Sequence, residues 1–82
     1  MRVKITFYGR LGELIAREVD LDVPGPITVI DLIRRLAQSY SNAAESLLHP
    51  RVRAVVRDQV VPQDFVVGPG DQLEILPIVS GG

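Results

Sequence analysis

Hydrophobic and polar residues alternate singly over Arg2–Tyr8. Val3, Ile5 and Phe7 share one side, and Arg2, Lys4, Thr6 and Tyr8 share the other. A period of two is that of a half-buried β-strand. Glu18–Val23 repeats the pattern, with Val19, Leu21 and Val23 pointing inward and Glu18, Asp20 and Asp22 outward. The segment 9–17 between them reads as the longish loop of a hairpin, built around Gly9 and Gly12. Pro24-Gly25-Pro26 ends the second strand.

From Thr28 the period becomes helical. Val29, Leu32, Ile33, Leu36, Ala37 and Tyr40 fall on one face, and Arg34, Arg35 and Gln38 on the other. Thr28 is the expected N-cap, with Asp31 at the N3 position of a shortened capping box. Asn42 with Glu45 predicts a second, shorter helix through Leu48, stopped by Pro50. Val52, Ala54 and Val56 alternate with Arg53, Val55 and Arg57 in a third strand. A turn at Asp58-Gln59 leads to a short strand at Val60-Val61, and Gly68-Pro69-Gly70-Asp71 is a structural turn. The last strand is Gln72–Leu76, with Leu73 and Ile75 inward. Pro77 cannot donate a ladder hydrogen bond, so the chain is expected to leave the sheet there. The order β-β-α-(α)-β-β-β predicts an α+β domain over residues 1–76, followed by a flexible tail over 77–82. Its mixed sheet has about five strands, with one main helix across it and a short second helix.

Composition narrows the chemistry. At 82 residues the chain makes one domain with a small core. Its 46% hydrophobic content is normal for a folded protein, and a net charge of −1 implies no attraction to nucleic acid. No apolar run is long enough for a membrane span, and the first residues show no signal-peptide pattern. A cytoplasmic protein is the expectation. There is no cysteine and only one histidine, His49, so disulfides, thiolate nucleophiles and multi-histidine metal sites drop out. His49 precedes Pro50 at a helix end, where capping is the expected role. Arg51, Arg53 and Arg57 form a basic segment, whereas residues 58–82 carry Asp58, Asp64, Asp71 and Glu74 without Lys or Arg. Solvated faces and partner docking explain this asymmetry equally well.

The remaining candidate is the tail. An uncharged stretch, Leu76-Pro77-Ile78-Val79, runs into Ser80-Gly81-Gly82. Two glycines make the narrowest peptide a chain can present, an end able to thread into another protein's active site. The group it would deliver is the α-carboxylate of Gly82. Tyr8 and Leu76, both out of phase with the inward set, should emerge on the far face of the sheet with Val60 beside them. A row of exposed apolar residues next to a threading tail is a plausible docking patch.

The pattern Gly70-Asp71, Pro77 and Gly81-Gly82 resembles the C-terminal signature of the β-grasp (ubiquitin-like) sulfur carriers, and among them the small subunits of molybdopterin synthase. The resemblance extends to Phe7-Tyr8, Glu13-Leu14, the Thr28-capped helix and Ala54-Val55-Val56. Three positions depart from it: Arg57 stands where Asn is frequent, Gly12 where an Arg precedes the Glu, and Ile78 where a second Pro is common. The resemblance implies the β-grasp fold and a sulfur held as a thiocarboxylate on Gly82. It implies an ATP-dependent adenylyltransferase, related to ubiquitin-activating enzymes, that converts the carboxylate to an acyl adenylate. It implies no permanently bound cofactor or metal, and catalytic groups supplied mainly by the large subunit. Tyr8, Val60, Leu76, Pro77, Ile78, Val79 and Ser80 would touch that partner, with Gly81 and Gly82 at the reacting end. Other readings keep the same tail chemistry: a thiamine-pathway carrier, which usually lacks the second helix, or a ubiquitin-like modifier. A non-catalytic β-grasp adaptor is a further alternative.

Overall fold

The computed structural model describes residues 1–77. Strand β1 (Arg2–Phe7) alternates exposed and buried residues as its sequence requires, with Val3, Ile5 and Phe7 in the core. It pairs antiparallel with β2 (Glu18–Asp22), setting Ile5 opposite Val19 and Thr6 opposite Glu18. Because β2 is an edge strand, Val19 and Leu21 are only partly buried.

The connection between these strands is not a loop. Gly9–Leu14 forms a helix, α1. Leu11, Leu14 and Ile15 have helical spacing, and Leu11 is fully buried with Leu14 and Ile15 packed against the core. Burial of that face outweighs two glycines, each costing about 1 kcal/mol in a helix. The Asn42 side chain ties the end of α1 down, donating to the Leu14 carbonyl at 2.8 Å.

Helix α2 (Val29–Ser39) crosses the sheet and buries Val29, Leu32, Ile33, Leu36 and Ala37. Thr28 caps it, its hydroxyl accepting from the Asp31 amide at 3.3 Å. The capping box is only half made, since the Asp31 carboxylate turns to Arg34 at 3.4 Å. A 3₁₀ turn (Ser41–Ala43) and a short helix α3 (Ala44–Leu47) form the second helical segment and bury Ala43 and Leu47. A small antiparallel pair, β3 (Ile27–Thr28) with β6 (Val66–Val67), closes the start of α2.

Among the described residues the main sheet has five strands in the order β2-β1-β7-β4-β5, where β4 is Arg53–Val56, β5 Gln59–Val61 and β7 Gln72–Leu76. β7 lies centrally, parallel to β1 and antiparallel to β4. This mixed sheet crossed by one main helix is the ubiquitin-like β-grasp.

The β4–β5 register places Val56 opposite Gln59, so the turn is centred on Arg57-Asp58, one residue earlier than the sequence suggests. Both residues have positive φ, 50° and 64°. Such a two-residue connection matches the strand twist but favours Asn and Gly. The Arg57 guanidinium donates to the Asp71 carboxylate, and the other Asp71 oxygen accepts from the Gly68 amide at 2.9 Å. One side chain thus ties the hairpin tip to the Gly68–Asp71 turn, where Gly70 supplies a φ of 83°.

Candidate functional site

The sheet face opposite α2 is open, and its residues follow from the register. Thr6 is paired with Glu18 on one side and Glu74 on the other; Glu74 faces Val55, and Val55 faces Val60. The next row lies at the end of β7. Leu76 is opposite Arg53, and Tyr8 follows the Phe7–Ile75 pair. Ile75 is fully buried, so Leu76 points to the open side, as Tyr8 does after buried Phe7.

The predicted docking residues Tyr8, Val60 and Leu76 therefore share one face. Tyr8 is 43% exposed and Val60 65% exposed, while Leu76 is half-buried. Val55 belongs with them, although the sequence reading had not placed it there. It is half-buried and bridges Val60 and Glu74. Its signal was present, as an apolar residue at an outward position between two buried neighbours, Ala54 and Val56.

Electrostatics divide this face. On the β1–β2 side two ion pairs form, Arg2 with Asp22 at 3.1 Å and Lys4 with Glu18 at 3.6 Å. On the β4 side two arginines of the basic segment are committed within the domain. Arg53 donates to the carbonyls of Pro50 and Val52 at 3.3 and 3.1 Å, and Arg57 holds Asp71. Structural pairing accounts for these two better than partner recognition. The Glu74 carboxylate foremost, then partial desolvation, raises the Tyr8 phenol pKa above its ordinary value, with Arg17 opposing the shift.

Pro77 marks the exit from the sheet. β1–β7 pairing continues one step past β1, where the Tyr8 amide donates to the Ile75 carbonyl at 3.2 Å. The carboxyl-terminal residues Ile78, Val79, Ser80, Gly81 and Gly82, on which the sequence reading puts the chemistry and part of the partner contact, lie outside the described residues. Among the described residues no group of three potential metal ligands comes together, and no helix is long and apolar enough to cross a membrane. His49 has a local role, its Nδ1 accepting from the Arg51 amide at 3.1 Å.

The family model of the ThiS family matches residues 5–82, nearly the whole chain and both terminal glycines. The chain belongs to the ThiS family. It is a ubiquitin-like β-grasp sulfur carrier. Similar folds occur in solved structures at low identity. A putative molybdopterin converting factor, subunit 1, from Pyrococcus furiosus is 22% identical with a TM-score of 0.82, over 96% of this chain and 99% of that one. The small archaeal modifier protein 1 of Methanosarcina acetivorans is 20% identical with a TM-score of 0.80, over 99% and 96%. Subunits 1 and 2 of the molybdopterin-converting factor of Helicobacter pylori form a protein–protein complex. The matching chain there is 18% identical with a TM-score of 0.65, over all of both chains. In this ThiS-family chain the central strand β7 ends at Leu76, beside the apolar part of the open face.

Proposed function

We propose that this chain is the sulfur-carrying small subunit of a molybdopterin synthase. In this reading Gly82 carries the sulfur as a thiocarboxylate. A carboxylate is a poor acyl donor because oxide would have to leave. An ATP-dependent adenylyltransferase converts it to an acyl adenylate with loss of pyrophosphate. A sulfur nucleophile then displaces AMP, and the thiocarboxylate passes its sulfur to a pterin precursor in the large subunit's active site. The domain's own share is recognition and delivery.

The observation that carries this reading is the register that sets Tyr8 beside Leu76, next to Val55 and Val60, where the strand leading to the glycines leaves the sheet. An apolar face at that point gives a large subunit a surface to hold while the tail enters its active site. Tyr8, Val60, Leu76, Pro77, Ile78, Val79 and Ser80 are the proposed partner contacts, with Gly81 at the narrow part of the channel. The second helical segment, Ser41–Leu47, favours this pathway over a thiamine carrier. The partnership of the Helicobacter pylori subunits supports the same choice.

The test is intact mass after co-expression with a candidate adenylyltransferase, followed by transfer to pterin with a purified large subunit. The expected product gains the mass of one sulfur in place of one oxygen, with oxidation of Met1 excluded by peptide mapping. Deleting Gly82 should abolish both adenylation and transfer and leave the melting temperature unchanged. A Gly82-deleted protein that still sulfurates pterin refutes the carrier role. Isopeptide-linked adducts without thiocarboxylate would make the chain a modifier instead.

A further inference from the structure

Gly9 and Pro77 meet where β7 ends. At Gly9 the backbone turns out of β1 with φ of 58° and enters α1. A Cβ placed on Gly9 would stand 2.9 Å from Cγ of Pro77 and 3.7 Å from its Cδ. The first distance is well inside the roughly 3.5–4.0 Å optimum for two carbons, so the proline ring rests directly on the glycine backbone. Gly9 has little room to retreat. A Cβ on Gly12 would be 3.2 Å from the Phe7 carbonyl oxygen, and Leu11 between them is fully buried, so the first turn of α1 is pressed against the end of β1.

The geometry points to Gly9 as a positioning residue for the tail: it is a bare backbone seat that holds the Pro77 ring and thereby sets the direction in which the chain leaves the sheet. The pyrrolidine already fixes φ of Pro77 near −65°. With the ring seated as well, the peptide that follows has little left to vary but ψ of Pro77. The consequence for sulfur delivery rests on the proposed carrier function; the seat itself does not.

A side chain at Gly9 has two separable effects. It strains a backbone held at positive φ, whatever lies nearby. It also pushes Pro77 away, and only this effect needs the ring. A cycle of Gly9→Ala, Pro77→Ala and the double variant therefore distinguishes them. Three quantities are read on the full chain: melting temperature, the residual dipolar coupling of the Ile78 amide with contacts between Gly9 and the Pro77 ring, and single-turnover transfer at saturating large subunit. Gly9→Ala should lower the melting temperature in both backgrounds. It should change the Ile78 coupling, and slow transfer about tenfold, only where Pro77 is present. Equal loss of transfer in both backgrounds means strain alone and overturns the seat. So do Ile78 couplings near zero in the wild type in several independent alignment media, because then no heading is set. A wild type that carries no sulfur to pterin, yet shows the Pro77-dependent change at Ile78, sinks the carrier reading and leaves the seat standing.

Discussion

Replacing Tyr8 with alanine should separate docking from folding, and Leu36→Ala is its internal contrast. Tyr8 is 43% exposed, so a little over half of its side chain is already covered by the domain. Burying a large side chain fully is worth about 1.5–3 kcal/mol, which assigns about 1–1.5 kcal/mol to folding and leaves about 1 kcal/mol for a partner to collect. Anchoring in a desolvated pocket raises the second figure to about 2 kcal/mol. The variant should therefore melt about 5–10 °C lower and bind the large subunit about 5–30-fold more weakly. Leu36 is fully buried under α2 and takes no part in the open face. Its alanine variant should lose about 2–5 kcal/mol of stability, and its folded fraction should bind normally. Calorimetric melting and titration with the large subunit, both well below the melting point of each variant, give the two quantities. Tyr8→Phe in the same series isolates the hydroxyl, whose pKa the Glu74 carboxylate raises. If Tyr8→Ala binds within twofold of wild type, the open face is ordinary surface and docking rests on the tail. If it melts as early as Leu36→Ala, the division between the two faces is wrong.

Two further predictions concern the hairpin tip. The Gly68 amide foremost, and Arg57 after it, hold the Asp71 carboxyl below its ordinary pKa. A lowered folded pKa gives stability that is complete above the unfolded value of about 4 and is lost as pH falls through the folded value. Asp71→Asn should thus cost about 1–2 kcal/mol at neutral pH, and its stability curve should converge with the wild-type curve on acidification; parallel curves would refute the pairing. Asp58→Gly should relieve a non-glycine residue at φ of 64°. After the greater unfolded entropy of glycine is subtracted, the gain is about 0.5 kcal/mol, or about 2–4 °C in melting temperature, and an unchanged or lower value would show that Asp58 is not strained.

Where side-chain periodicity alone decides an element, the sequence reads directly. Val3, Ile5 and Phe7, or Val29, Leu32, Ile33 and Leu36, are buried on one side because a period of two or of 3.6 leaves them no other place. The reading fails where tertiary contact overrides local preference. Gly9 and Gly12 argue for a loop, but the helix between them is held by Leu11 in the core and by Asn42, 28 residues beyond Leu14. The β3–β6 pair is too short, two residues a strand, to show any period. The Arg57-Asp58 turn carries none of the glycine or asparagine that announces a positive-φ hairpin, and its register comes from Val55 and Val56 meeting Val60 and Gln59. The docking face was legible from phase at Tyr8 and Leu76. Val55 became part of it only once β4 was known to lie beside β7.

That neighbour relation also explains why the tail starts at Pro77. β7 is flanked by β1 and β4, and fully buried Leu73 and Ile75 anchor it. A strand paired on both sides resists fraying, so a pull on the tail is borne by two ladders and the core. The same position carries a hazard, because a strand with partners on both edges tends to go on pairing. At residue 76 the β4 ladder has reached Arg53, the first residue of its strand, while the β1 ladder still extends through the Tyr8 amide to the Ile75 carbonyl. An ordinary residue at 77 would bring one more N–H to this junction and favour further pairing. Proline brings none, and its ring settles on Gly9, which has no side chain to displace it. The end of the sheet is therefore sharp on chemical grounds, and the chain leaves β7 at a defined point beside the apolar face.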